Sequence, residues 1–108
     1  MKIFLCCAAG MSTSMLVSKM EESAKNNGVE CEISAHSIAE FEDCLKWSDV
    51  CLVAPQVRFK FEEFRSIAHE QGKACGLIDM MNYGMLNGDA VLEQAVALFN
   101  TTNTATES

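Results

Sequence analysis

A cysteine, a glycine and three hydroxyl residues lie close together near the start of the chain, in the segment Cys7-Ala8-Ala9-Gly10-Met11-Ser12-Thr13-Ser14. The segment follows an apolar run and precedes a helical pattern, which places the thiol where a strand ends and a loop leads into a helix. Unpaired backbone N–H groups at a helix start attract anions and make a nearby cysteine a better nucleophile. The hydroxyls add further donors. We therefore predict that Cys7 accepts a phosphoryl group and that residues 8–14 bind the phosphate.

This segment closely resembles the active-site loop of the enzyme IIB component of the sugar phosphotransferase system, in its lactose/cellobiose (chitobiose) family. Two later segments also look like that family, Ala54-Pro55-Gln56-Val57-Arg58 and Ile78-Asp79 with Tyr83-Gly84. The resemblance runs from Met1 to about Asn100. It implies a phosphotransferase with a phosphocysteine intermediate at Cys7.

The resemblance also implies two partners. A phosphohistidine of the IIA phosphocarrier would supply the phosphoryl group, and the membrane permease IIC would hold the sugar that receives it. The implied sugar is a β-linked disaccharide such as cellobiose, chitobiose or lactose. We expect a cytoplasmic protein that is peripheral to the membrane through IIC, and we expect no cofactor.

Length and composition fit one folded domain. The chain has 108 residues, of which 49% are hydrophobic, enough for a single core. We assign the domain to residues 1–100 and predict a disordered tail over 101–108, where the sequence is polar and lacks periodicity.

Charge and hydropathy exclude two classes of partner. The net charge of −7 argues against a nucleic-acid surface, which needs a basic patch, although an acidic surface can dock on a basic protein. No apolar run approaches the roughly 20 residues needed to span a bilayer, so we expect no direct membrane insertion.

The six cysteines suggest reduced thiols rather than a disulfide framework. Most of them fall in predicted strands or helices, where cysteine behaves as a small core residue: Cys6, Cys31, Cys44, Cys51 and Cys75. There is no Cys-x-x-Cys pair and the two histidines are far apart in the sequence, so we expect no metal site.

The order of predicted elements is strand-helix, repeated four times. The strands are placed at Lys2–Cys6, Val29–Ala35, Val50–Ala54 and Ala74–Ile78, and residues 79–87 are predicted as a loop. This alternation predicts an α/β fold, a four-stranded parallel sheet with helices on both faces and strand order 2-1-3-4, a flavodoxin-like three-layer sandwich. Ligands bind such sheets beyond the carboxyl ends of the strands, where the strand order reverses, and Cys7 lies there.

Five residues on the neighbouring loops are candidates for surrounding the phosphate, namely Pro55, Gln56, Arg58, Asp79 and Tyr83. Arg58 would clamp the phosphate or, as is more usual at a helix start, be solvated. Asp79 is expected to orient its loop through backbone N–H groups.

His36 ends a predicted strand near the same edge, and a solvated loop histidine is favoured over a phospho-relay. Cys6 is predicted to be structural, because its side chain points to the opposite face of the strand from Cys7.

Three rival functions are weaker. A low-molecular-weight tyrosine phosphatase needs an arginine six residues after the cysteine, and Thr13 stands there. A thiol redox switch at Cys7 needs a resolving cysteine, and Cys6 is aimed away from it. A nucleotide-binding module would carry Gly-Lys-Ser/Thr or Gly-x-Gly-x-x-Gly, and the sequence has neither.

Overall fold

Four parallel strands form one sheet in the order β2-β1-β3-β4. The computed structural model describes residues 1–8 and 11–107, without the side chains of residues 11, 12 and 102–107. The strands are β1 (Lys2–Cys7), β2 (Glu32–Ser37), β3 (Val50–Val53) and β4 (Ala74–Leu77). The two central strands, β1 and β3, are the two continuous apolar runs and are almost wholly buried, as expected for strands covered on both faces. The predicted fold class and strand order are confirmed.

Helices cover both faces of the sheet. They are α1 (Met11–Asn26), α2 (Phe41–Trp47), α3 (Phe61–Glu70), α4 (Met80–Gly84) and α5 (Gly88–Glu107), and 3₁₀ turns at Ile38–Glu40 and Pro55–Lys60 lead into α2 and α3. Helices α1 and α5 pack together on one face. On the other face α2 and α3 meet through the stacked rings of Phe41 and Phe64, whose centroids are 3.8 Å apart.

Strand β2 starts later than the sequence predicted. Gly28 adopts a left-handed φ of +67° at the end of α1, and the Val29 N–H donates to the Ala24 carbonyl. This helix-closing bond uses the backbone of Val29, so pairing with β1 begins only at Glu32, opposite Lys2. Cys31 therefore lies just before the strand rather than inside it.

The structure differs from the sequence prediction at one further place. Residues 80–84, predicted as part of a loop, form the short helix α4, because the Asp79 carboxylate accepts hydrogen bonds from the N–H groups of Met81 and Asn82. Helix α5 is assigned through Glu107, and the disordered tail predicted over residues 101–108 stays a prediction. Ser108 lies outside the described residues. The assignment of residues 1–100 as one domain stays a prediction.

Candidate functional site

Cys7 is the last residue of β1 and lies at the carboxyl edge of the sheet. It is 3% exposed, and its Sγ is 3.8 Å from the His36 carbonyl oxygen, toward which the thiol can donate. The chains leaving β3 and β4 emerge at the same edge, since Ala54 N–H bonds to the Cys6 carbonyl and Ile78 N–H to the Val53 carbonyl. The thiol thus lies at the centre of the edge where the strand order reverses.

The loop after Cys7 leads directly into α1. Ala9 and Gly10, both predicted to bind phosphate, lie outside the described residues, as do the side chains of Met11 and Ser12. Ala8 is exposed, and Met11 begins α1. Helix α1 begins shortly after Cys7 in the sequence, and the backbone N–H groups of a helix's first turn can bind an anion.

Thr13 and Ser14 differ in what they face. Ser14 is exposed, but Thr13 is fully buried and its hydroxyl shares a 3.0 Å hydrogen bond with the hydroxyl of Tyr83. Sequence reasoning treated both hydroxyls as phosphate donors and did not pair Thr13 with Tyr83, because the two are 70 residues apart. In the structure this bond joins the first turn of α1 to α4.

Cys6 differs sharply from its neighbour in the sequence. Burial, together with the nearby Cys7, Cys75 and Cys44, raises the pKa of Cys6 to about 12. Its thiol therefore stays protonated near neutral pH and is a poor nucleophile. The structural role predicted for Cys6 agrees with this environment.

His36 lies on the opposite side of the sheet from the Cys7 thiol. It pairs with Cys6 in the β1–β2 register, and paired residues of neighbouring strands project from the same face. Its ring packs edge-on against Phe4 and Trp47, with one ring nitrogen 3.0 Å from the Ser34 hydroxyl and the other 3.5 Å from Glu40. This arrangement does not fit a phospho-relay, so His36 contributes its backbone carbonyl to the site.

Four of the five candidate neighbours line one open cavity of about 470 Å³. Pro55, Gln56 and Arg58 come from the turn after β3, and Tyr83 comes from α4. Gln56 and Arg58 are exposed. Asp79, the fifth, does not line the cavity and instead caps α4, the role favoured for it from the sequence.

The same edge carries exposed apolar side chains that sequence reasoning did not single out. Phe59 and Met80 line the cavity and are 72% and 61% exposed, and Met81 and Met85 on and beside α4 are 70% and 72% exposed. Large apolar side chains left in water mark surfaces that bind other proteins. The signal available in the sequence was the Met80-Met81 pair directly after a buried strand.

Neither a metal-binding cluster nor a membrane-spanning helix is found among the described residues. Across residues 1–8 and 11–107 no three His, Cys, Asp or Glu side chains converge in a way that could hold a metal ion. None of the helices described in the structure combines the length and apolar character needed to cross a membrane.

Comparison with known proteins agrees with this geometry. Residues 2–94 match the family described as the lactose/cellobiose-specific IIB subunit of the PTS system. The chain is 45% identical over 103 residues to the cellobiose-specific EIIB component of Lactococcus lactis subsp. lactis strain IL1403, covering 91% of this chain and 95% of the relative. Identity and coverage are the same for the galactose-specific EIIB component of L. lactis subsp. cremoris strain MG1363.

A solved structure gives the same result. The solution structure of a cellobiose-specific phosphotransferase IIB component from Borrelia burgdorferi superposes with a TM-score of 0.80 at 37% identity, covering 94% of each chain. Proteins of this family act as phosphotransferases in sugar uptake. The family match spans most of the chain, and the relatives align over nearly their whole length, so this chain belongs to the lactose/cellobiose-specific IIB subunits of the phosphotransferase system.

Proposed function

We propose that this protein carries a phosphoryl group on Cys7 between a IIA phosphohistidine and a sugar held by the membrane permease IIC. The observation that carries the proposal is the position of the Cys7 thiol, at the carboxyl end of the central strand β1 and directly before the start of α1. Family membership supports it. The sugar we propose is a β-linked disaccharide such as cellobiose, chitobiose or lactose.

The chemistry consists of two displacements at phosphorus. In the first, the Cys7 sulfur loses its proton and attacks the phosphohistidine, so that an S–P bond forms while the N–P bond breaks and the histidine nitrogen keeps the electron pair. In the second, a sugar hydroxyl attacks, an O–P bond forms, the S–P bond breaks and the hydroxyl proton is released. Phosphoryl transfer needs mainly positioning and stabilisation of charge, which N–H groups at a helix start can provide.

The exposed apolar side chains beside the site are suited to binding partners that associate only transiently. Phe59, Met80, Met81 and Met85 offer a surface that both IIA and IIC can cover in turn, and methionine side chains adapt easily to different partners. Arg58 adds a positive charge at the rim of the same cavity. We propose that this edge docks both partners, on the cytoplasmic side of the membrane.

Transfer to Cys7 can be tested with purified components. The protein is incubated with phosphoenolpyruvate, the general phosphotransferase proteins and a candidate IIA, and the phosphorylated residue is located by peptide mass spectrometry. Phosphate should appear on Cys7 and be absent from Cys7→Ser, because a serine hydroxyl is hardly ionised at neutral pH and is a much weaker nucleophile.

A Cys6→Ser variant is the matched control, since Cys6 is adjacent in sequence but buried on the other face of the sheet. It should still accept phosphate. Phosphate on Cys6 or on a histidine, or phosphate retained by Cys7→Ser, would refute the assignment. An assay with a small aryl phosphate tests the phosphatase alternative, for which Thr13, bonded to Tyr83, stands in place of the required arginine.

A further inference from the structure

Two further cysteines, Cys51 and Cys75, lie on the opposite face of the sheet from the Cys7 side chain. The register of β3 and β4 sets Cys51 directly opposite Cys75. Neighbouring strands are about 4.8 Å apart, and a disulfide requires Cα atoms roughly 4.4–6.8 Å apart, so the two residues are within bonding reach. Burial, together with the neighbouring Cys75, raises the pKa of Cys51 well above its usual value.

Cys75 has access to solvent through a cavity of about 500 Å³ between α3 and α5. Its exposed fraction is 9%, whereas Cys51 is fully buried behind it. Three basic side chains line this cavity, those of Arg65, His69 and Lys73. A small neutral oxidant can therefore reach one member of the pair, in surroundings that stabilise negative charge on sulfur and on a departing oxygen.

We propose that Cys75 and Cys51 form a reversible disulfide when a hydroperoxide enters this cavity. The Cys75 sulfur gives up its proton and attacks one peroxide oxygen, so that an S–O bond forms, the O–O bond breaks and the second oxygen leaves as water or an alcohol. The Cys51 sulfur then attacks the Cys75 sulfur while its proton passes directly to the departing oxygen, which leaves as water, so no free thiolate has to form at the buried Cys51. Two thiols are oxidised and one hydroperoxide is reduced.

The arrangement assigns different roles to the two residues. Cys75 meets the oxidant because it lines the cavity, and Cys51 resolves the sulfenic acid because the register of β3 and β4 sets it directly opposite Cys75. Cys7 at the carboxyl edge pairs with Ser37 in the register, and Cys31 lies before β2, so neither faces another cysteine across the sheet. The pair is therefore a modification site separate from the phosphoryl-transfer thiol.

Tryptic peptides distinguish this pair from every other pairing. Cleavage after Lys46, Arg58 and Lys73 puts Cys51 in peptide 47–58 and Cys75 in peptide 74–108, while Cys6 and Cys7 share peptide 3–19 and Cys31 and Cys44 share peptide 26–46. The reduced full-length protein is titrated with hydrogen peroxide, the remaining thiols are blocked with N-ethylmaleimide, and the digest is analysed by mass spectrometry. We expect peptide 47–58 linked to peptide 74–108, and the link should disappear with dithiothreitol.

Two variants sharpen the test. In Cys51→Ala a sulfenic acid on Cys75 should be trapped by dimedone, and in Cys31→Ala the link should form as in the unmodified sequence. Replacing the cavity cations in Arg65→Gln/His69→Gln should slow linking roughly three- to tenfold by removing charge stabilisation. Lys60→Gln, at a lysine that pairs with Glu63 and does not line the cavity, should leave the rate unchanged, and the lost cleavage site joins no cysteine peptides. Linkage of peptide 74–108 to another cysteine peptide, or oxidation of Cys31 while Cys75 stays reduced, would overturn the proposal.

Discussion

At the scale of single residues, strand geometry gives two adjacent cysteines different environments, one in the core and one at the carboxyl edge of the sheet. Cys6 and Cys7 have the same side chain, but alternation along β1 sends them to opposite faces of the sheet. Cys6 is surrounded by core residues and other thiols, which keep it protonated. Cys7 is placed beside the start of α1. The sequence was sufficient for this distinction, because it depends only on the period of the strand and the loop that follows.

The bond between Thr13 and Tyr83 carries a prediction at this scale. Tyr83→Phe leaves the buried Thr13 hydroxyl without this partner, which typically costs about 1–3 kcal/mol of unfolding free energy, and Thr13→Val removes the same bond from the other side. The double variant removes both groups, so it should be more stable than the sum of the two single effects implies. Urea unfolding of all four proteins measures the coupling.

The same variants should also slow phosphoryl transfer to Cys7, because the bond holds the first turn of α1, which follows Cys7 in the chain. Tyr83→Phe is expected to accept phosphate from IIA more slowly while still carrying it on Cys7. Strictly additive unfolding free energies would show that the two hydroxyls do not act together.

At the scale of elements, the alternation of strands and helices was enough to predict the sheet and its order. The apolar runs identified the two central strands, and Gly28, Asn87 and Asp79 act as local stop or cap signals that the structure retains. The features that the sequence could not predict depend on contacts between residues that are distant in the sequence. The cavity beside the site combines residues of the turn after β3 with residues of α4, and their meeting follows from the packed sheet rather than from any local pattern.

Gly88 lets α5 pack closely against α1, a role that the sequence composition does not reveal. A Cβ added there would lie 2.5 Å from the Lys19 carbonyl carbon and 2.7 Å from the Met20 nitrogen. These are backbone atoms of α1, which cannot move aside as a side chain can, so Gly88→Ala should push α5 away from α1. We expect a loss of about 1–3 kcal/mol of unfolding free energy, as is typical of overpacking.

Gly84→Ala is the matched control for this prediction, because a Cβ at Gly84 meets no atom within 4 Å. Its stability should stay within about 0.5 kcal/mol of the unmodified protein, the usual range for a surface substitution. Thermal unfolding of both variants compares them directly. Equal stability of the two would mean that α1 and α5 can separate without cost.

At the scale of the whole molecule, the buried thiols make stability depend on alkaline pH. The folded protein holds the pKa of Cys6 at about 12, against a reference value of 9.0, and burial also raises the pKa values of Cys44 and Cys51. Between pH 9 and 12 the unfolded chain therefore releases protons that the folded chain retains. Stability is fully present below pH 9 and is lost as pH rises toward 12.

The expected slope follows from this linkage. Each thiol that is ionised only in the unfolded state lowers the unfolding free energy by up to about 1.4 kcal/mol per pH unit. Urea unfolding under reducing conditions should show a steep fall above pH 9. Cys6→Ala tests the contribution of this thiol, because it removes one buried acidic group and should make the fall of unfolding free energy with pH shallower. The cavity that it leaves lowers stability equally at every pH, so it does not change this slope. An unchanged slope in that variant would show that Cys6 is not held protonated by the fold.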